Sequence, residues 1–202
     1  MKKVLIEYII KNKKNFLIIA IIFILGVSLG IIFINASDNF QKDELNNYVN
    51  ALIKNIKETD NISKIDLLFL SIKQNVCFIL LVWFLGCTII GGLFIYVTIL
   101  YKGFAIGYTI SSIIAVLGIK NGIIFSCLSL LLQNLIFIPA FFILAENGIK
   151  LYRGIYKRCI NLKEEVIRHT IIMFISIMLI LISSFVEVYI STNLLIFLKE
   201  IL

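Results

Sequence analysis

The apolar run from Phe16 to Ile34 is the feature that most limits how this chain can fold. It contains no charged residue over 19 positions, and a helix needs about 20 such residues to cross the hydrocarbon layer of a membrane. A cleavable signal peptide has a shorter apolar region, about 7–15 residues. The run therefore predicts a retained membrane crossing over residues 16–34.

Four further apolar runs follow in a chain of 202 residues that is 60% hydrophobic and 15% charged. A soluble domain is usually nearer half apolar and about a quarter charged, so lipid is the solvent for most of this sequence. We predict an all-α polytopic membrane protein that forms one domain over residues 1–202, with interfacial amphipathic helices in addition to its crossings. The remaining crossings are predicted at residues 76–100, 103–119, 122–145 and 170–189.

A polar loop over residues 35–75 separates the first two crossings and carries two amphipathic patterns. Ser63 and Asp66 form a capping box, and the helix that they open is expected to follow the interface before entering the membrane near Asn75. The other pattern is an apolar stripe at helical spacing, which can lie on headgroups, pack on the bundle or bind a partner. Its residues, our predicted partner-binding surface, are Leu45, Val49, Leu52 and Ile56.

Basic residues cluster before the first crossing and in a second loop over residues 146–169. Cytoplasmic loops of membrane proteins carry an excess of Lys and Arg. A cytoplasmic N-terminus and an extracytoplasmic C-terminus would place twelve of the 19 basic residues inside. Since these charges flank apolar spans, the net charge of +7 does not indicate a nucleic-acid partner.

Lys102 is the one charge between the second and third predicted crossings. A charge at mid-bilayer costs about 2.5–3.5 kcal/mol on insertion scales, so we predict that Tyr101 and Lys102 form a tight cytoplasmic turn. Residues 150–168 are expected to be either a basic amphipathic helix on the inner leaflet or an ordinary positively charged loop. The predicted contacts to lipid headgroups are Lys102, Lys150, Arg153 and Lys157.

Glycines recur at spacings that allow two helix backbones to approach closely. Gly26 with Gly30, and Gly103 with Gly107, form G-x-x-x-G pairs, and small residues at this spacing drive helix association in lipid. We predict helix–helix contacts, within one chain or between copies of it, at Gly26, Gly30, Gly86, Gly91, Gly103 and Gly107.

The sequence offers little that could carry catalysis. His169, the single histidine, lies at a span boundary, and neither an H-E-x-x-H nor a C-x-x-C motif occurs. We therefore predict no enzyme activity, no cofactor and no metal site. None of the predicted crossings has an ionisable residue at mid-membrane. Since transporters usually keep such a residue, its absence from these crossings disfavours a transporter.

One polar site, Gln133 with Asn134, lies within the fourth crossing and is followed by Pro139. Pro139 frees the carbonyl of Leu135, which needs a partner in lipid. The site predicts either a kinked helix bonded to its neighbours or a groove for a partner's transmembrane helix or a small polar ligand. Gln133 and Pro139 are therefore candidate partner-binding residues.

The order of these motifs resembles the stage II sporulation protein M family. The residues concerned are Asn75, Phe84–Gly86, Gly91, Lys102–Phe104 and Gly107, and then LLLQNLIFIPAFF over Leu130–Phe142. Five crossings and one polar outer loop also agree with it. Related membrane proteins of other function often have His and Glu in the fourth helix, where this chain has Asn134 and Ile138.

The resemblance implies a non-enzymatic scaffold in the cell membrane of endospore-forming bacteria. Such a scaffold acts in engulfment, at the septal membrane of the mother cell. Its implied partners are stage II sporulation proteins D and P, which are membrane-anchored peptidoglycan hydrolases. A permease-like subunit of a transport system is the alternative, and a hydrolase is a third class that an activity assay would test.

Overall fold

The computed structural model describes residues 12–36, 64–88, 90–127, 132–157 and 161–191. These residues are helical almost throughout. The helices are α1 Lys13–Asn35, α2 Lys64–Gly86, α3 Gly91–Ser126, α4 Leu132–Lys157 and α5 Leu162–Phe185, and a π-helical segment, Val186–Ser191, continues α5.

Five helices in the described part of the chain are long and apolar enough to cross a membrane. The predicted all-α polytopic fold is therefore confirmed. The candidate spans are Lys13–Asn35, Leu68–Gly86, Gly91–Ser126, Gln133–Tyr156 and Leu162–Phe185. The side of the membrane that each end of the bundle faces remains a prediction from the basic residues.

The turn that joins the second and third spans lies between Gly86 and Gly91, not at Tyr101 and Lys102. Thr88 closes the end of α2, because its hydroxyl donates to the Leu85 carbonyl at 2.9 Å. The amide of Gly91 then donates to the Thr88 carbonyl at 3.2 Å. The predicted crossing over 76–100 is therefore wrong. Both arms of the turn are apolar, so hydropathy does not show where the chain reverses.

A second reversal lies within α3 at Gly118, whose φ of 79° and ψ of 167° are not helical. This backbone conformation favours glycine, since a Cβ is poorly tolerated there. The chain then runs back on itself, and a Cβ on Gly122 would lie 2.6 Å from the Cα of Ile114. The predicted fourth crossing over 122–145 is therefore divided between the end of α3 and the first half of α4.

The helices α1 and α3 pack in parallel through their glycine pairs. A Cβ on Gly103 would collide with the Phe23 carbonyl oxygen, and one on Gly107 with that of Val27. Gly26 and Gly30 likewise lie directly against the backbone of Leu100–Tyr108. Contact this close is what small residues permit between helices in lipid, and it fixes the register of the two helices.

The central helix of the bundle is α4. Within its apolar window 56% of the residues are buried, against 17–28% in the other spans. Its inner face joins a core cluster with side chains of the other four helices. The cluster consists of Ile19, Ile79, Val82, Ile95, Ile99, Phe137, Phe141, Leu144, Ala145, Ile149, Met173 and Ile180.

Two loops are shorter than predicted. The described helix α2 begins at Lys64, so the predicted loop over 35–75 ends earlier, and one continuous helix runs through Asn75. The predicted basic loop over 146–169 is mostly helical. Its residues extend α4 to Lys157 and start α5 at Leu162, so they form no separate amphipathic helix. The stripe Leu45–Ile56 lies outside the described residues.

Candidate functional site

Lys102 lies inside α3, close to the middle of the bundle. Gly26 of α1 lies against Leu100 and Phe104, the residues two positions before and after Lys102. Residue 24 is the midpoint of α1, so Gly26 lies about 3 Å beyond it at 1.5 Å per residue. Since α1 is long and apolar enough to cross a membrane, Lys102 packs beside the middle of a candidate span.

The ammonium group of Lys102 lies over two phenyl rings. Its Nζ is 4.3 Å from the ring centroid of Phe137 in α4 and 5.3 Å from that of Phe78 in α2. A cation over an aromatic face is stabilised by about 2 kcal/mol when it is desolvated, which offsets much of the insertion cost of about 2.5–3.5 kcal/mol. The predicted turn at Tyr101 and Lys102 is wrong, because α3 is helical through both residues, and the headgroup contact of Lys102 stays a prediction.

Hydroxyl and carboxamide groups cluster one turn from these rings, between α2, α4 and α5. Asn75 and Asn134 are both buried, and each precedes by three residues one of the two rings at Lys102. We call this group the polar cluster, and it consists of Ser71, Asn75, Asn134, Ser183 and Ser184.

Hydrogen bonds connect the polar cluster across three helices. Ser71 donates to the Ser184 hydroxyl at 3.0 Å, and Asn75 Nδ2 donates to Ser71 Oγ at 3.4 Å. Ser183 donates to the Gln133 carbonyl at 2.9 Å. Polar side chains of this kind join transmembrane helices, at about 0.6 kcal/mol per pair on average.

The polar cluster and Lys102 together form the candidate functional site. Its hydroxyls and amides neither gain nor lose a proton near neutral pH, and Lys102 adds a cation. Such a set can bind a polar or anionic group of a ligand or partner helix, and it offers no general base. The charge of Lys102 and the Ser and Asn residues can be read from the sequence. Their closeness in the fold depends on the turn between α2 and α3, which the sequence does not show.

Gln133 and Pro139 differ in their surroundings. The carbonyl of Gln133 receives the Ser183 hydroxyl, and the Gln133 side chain is partly buried. Pro139 is exposed on the outer surface of α4, as is Leu135. A cavity of about 360 Å³ lies elsewhere, along α2 between Leu70 and Leu81. Partner binding at Gln133 and Pro139 stays a prediction.

A second polar region lies where α1 begins and α4 ends. We call it the basic end, defined by Lys13, Lys150 and Arg153. Glu146 is fully buried there. Lys150 forms an ion pair with it at 3.0 Å, and Asn15 Nδ2 donates to it at 3.3 Å.

Arg153 joins three helices at the basic end. Its guanidinium donates to Asn15 Oδ1 at 3.0 Å and to the Tyr96 hydroxyl at 3.3 Å. The amphipathic pattern did not show these contacts, because the partners lie on α1 and α3. Lipid binding by Lys150 and Arg153 stays a prediction, and the Lys157 side chain lies outside the described residues.

The other predicted packing glycines also lie at close contacts. Gly86 lies against Gly148 of α4 and the ring of His169 in α5. Gly91 lies against the Leu85 carbonyl and Thr88 in the turn after α2. No group of three or more His, Cys, Asp or Glu within the described segments could hold a metal ion.

Comparison with known proteins identifies the family. The family model described as Stage II sporulation protein M matches residues 19–192, a range that includes all five spans except the first turns of α1. No curated protein and no solved structure matches the chain. The chain is a multi-pass membrane protein, and it belongs to the stage II sporulation protein M family.

Proposed function

We propose that this protein is a non-enzymatic membrane scaffold of endospore formation. It recruits peptidoglycan hydrolases, stage II sporulation proteins D and P, and holds them at the septal membrane during engulfment of the forespore. The observation that carries the proposal is the family match over residues 19–192. Membership of this family points to sporulation, and the partners follow from the resemblance described above.

The packing of the bundle suits an anchor that must keep its shape under load. Backbone lies on backbone where Gly26 and Gly30 meet α3, and helices that touch in this way cannot slide without a steric clash. Hydrogen bonds of the polar cluster and of Arg153 connect the remaining helices. A rigid bundle of this kind would give bound hydrolases a fixed position relative to the membrane.

Two surfaces are candidates for the hydrolases. The first is the apolar stripe of Leu45, Val49, Leu52 and Ile56, which is predicted to lie on the side of the membrane where the wall is cut. Burial of these apolar side chains against a partner would be favourable. The second candidate is the intramembrane surface near Gln133 and Pro139, which a partner's transmembrane helix can reach.

A crosslinked pull-down of the tagged full-length protein from sporulating cells tests the proposal. We expect stage II sporulation proteins D and P to be enriched over an unrelated multi-pass membrane protein that carries the same tag. Recovery of neither hydrolase, with the tagged protein present at its normal level, would contradict the scaffold function.

One observation favours a second candidate, a permease-like subunit of a transport system. Ionisable residues at mid-membrane often mark substrate or ion pathways. The sequence predicts a cytoplasmic turn at Lys102, whereas its ammonium group lies over Phe78 and Phe137 within the bundle.

Substrate flux in vesicles separates the two functions. Purified protein would be reconstituted alone and with any ATPase that is recovered in the pull-down, and the variant Lys102→Met would be measured beside it. Flux that depends on Lys102 would support the permease. Absence of flux together with recovery of the hydrolases would support the scaffold.

A further inference from the structure

Two fully buried side chains at the basic end have polar atoms without a hydrogen-bond partner. They are Asn147 in α4, through both Nδ2 and Oδ1, and His169 in α5, through Nδ1. A buried polar atom left unsatisfied is destabilising, and buried polar groups in folded proteins are nearly always paired. A further hydrogen-bonding group is therefore expected at this place.

Asn147 and His169 lie on facing sides of two antiparallel helices. The Ser176 hydroxyl donates to the Ala140 carbonyl at 3.4 Å, which sets the register of α4 and α5. Asn147 follows Ala140 by seven residues in α4, and His169 precedes Ser176 by seven residues in α5. Seven residues make almost two full turns, so both residues share the faces of Ala140 and Ser176.

The contact of Gly148, next to Asn147, supports the same alignment of α4 and α5. A Cβ on Gly148 would lie 3.3 Å from Cε1 of the His169 ring. The ring is therefore beside the α4 turn that carries Asn147, and the unsatisfied atoms of the two side chains belong to one small region of the interior.

The contact on the other side of the ring assigns its tautomer. His169 Nε2 lies 3.3 Å from the Trp83 carbonyl oxygen, and a carbonyl oxygen can only accept. Nε2 therefore carries the proton, and Nδ1 is an acceptor in need of a donor. Gly86 and Gly148 beside the ring have no side chain that could supply one.

We propose that an internal water molecule binds between Asn147 and His169. It accepts a hydrogen bond from Asn147 Nδ2 and donates one to His169 Nδ1. Buried waters typically occupy polar sites and make about three hydrogen bonds, and the amide oxygen of Asn147 offers a third. A metal cation is a poorer match, because the amide presents N–H donors and Lys150 lies one turn away.

The water would make the basic end a hydrated joint between α2, α4 and α5. By fixing the plane of the His169 ring, it would hold the ring against Gly86, where there is no room for a side chain. This inference does not depend on the proposed function.

Nitrogen NMR of the full-length protein in lipid nanodiscs tests the proposal. His169 is the single histidine, so ¹⁵N-histidine labelling gives one set of ring signals. We expect the tautomer protonated at Nε2, and magnetisation transfer from water to the ring protons. The variant Asn147→Leu should lose the transfer and keep the tautomer, because the contact with Trp83 remains.

Asn134→Leu serves as the matched control, since Asn134 is also a buried amide of α4 but lies nearer its opposite end. Transfer from water should persist in that variant. Absence of transfer in the wild-type protein would overturn the proposal even if Asn147→Leu fails to accumulate. Protonation at Nδ1, a direct Asn147–His169 hydrogen bond without water transfer, or unchanged transfer in Asn147→Leu would also overturn it.

Discussion

The ammonium group of Lys102 lies over Phe78 and Phe137, at the level of the middle of α1. The cost of a charge in lipid favours a turn at this residue. That cost is real, but aromatic faces of α2 and α4 reduce it, and hydropathy carries no information about such contacts. A single lysine in an apolar run is therefore compatible with two topologies, and only the packing distinguishes them.

Cysteine labelling tests the depth of residue 102. Lys102→Cys and Thr88→Cys would be made separately in a cysteine-free background and probed with a membrane-impermeant maleimide in opened membranes. We expect the Thr88 site, in the turn after α2, to react at least tenfold faster, because water does not reach the middle of the bundle. Equal labelling of both sites would restore the turn at Tyr101 and Lys102.

At the scale of helices, the sequence could predict what depends on composition. The run Phe16–Ile34 alone predicts a crossing, and the number of spans follows from runs of the same kind. Reversals depend on short-range geometry, such as the hydroxyl of Thr88 and the positive φ of Gly118, which hydropathy does not show. The polar cluster could not be predicted, because its members come from three helices whose register depends on those reversals.

Packing of α1 on α3 predicts a strong effect of bulk at Gly107. A Cβ there would collide with the Val27 carbonyl oxygen, so Gly107→Leu must separate the two backbones. Overpacking typically costs about 1–3 kcal/mol, and backbone against backbone leaves little room to adjust. We expect a clear loss of folded protein, measured by fluorescence-detected size exclusion in detergent.

Ala115→Leu is the control for this variant, because Ala115 lies on the same helix and is exposed on its outer surface. It should accumulate like the wild-type protein. Normal accumulation and a normal elution profile of Gly107→Leu would show that the glycine contact is not required.

For the whole molecule, the basic end gives the expected orientation. Lys13, Lys150 and Arg153 lie at one end of the bundle, and cytoplasmic ends of membrane proteins are rich in such residues. Single cysteines at Asn50 and at Asn161, which is exposed between α4 and α5, report the two sides. In intact cells we expect an impermeant reagent to label position 50 and not position 161. The reverse pattern would invert the topology.

We propose that this protein holds hydrolases at the septal membrane. Retention of fluorescently tagged stage II sporulation proteins D and P at the septum tests it most directly, in cells that carry the double variant Leu52→Asp and Ile56→Asp. Neither residue lies in a predicted crossing, so insertion and membrane level should match the wild-type protein, which immunoblotting checks. A second double variant, Lys54→Asp and Lys57→Asp, changes charge in the same segment without touching the apolar stripe.

We expect the hydrolases to leave the septum and engulfment to stall in cells with Leu52→Asp and Ile56→Asp, and we expect normal retention and engulfment in the control. Loss of retention in both variants would indicate an effect of charge and not of the apolar stripe. Normal retention and normal engulfment with the stripe variant, at full protein level, would place docking elsewhere, near Gln133 and Pro139. Normal retention in cells that lack the protein altogether would contradict the scaffold function itself.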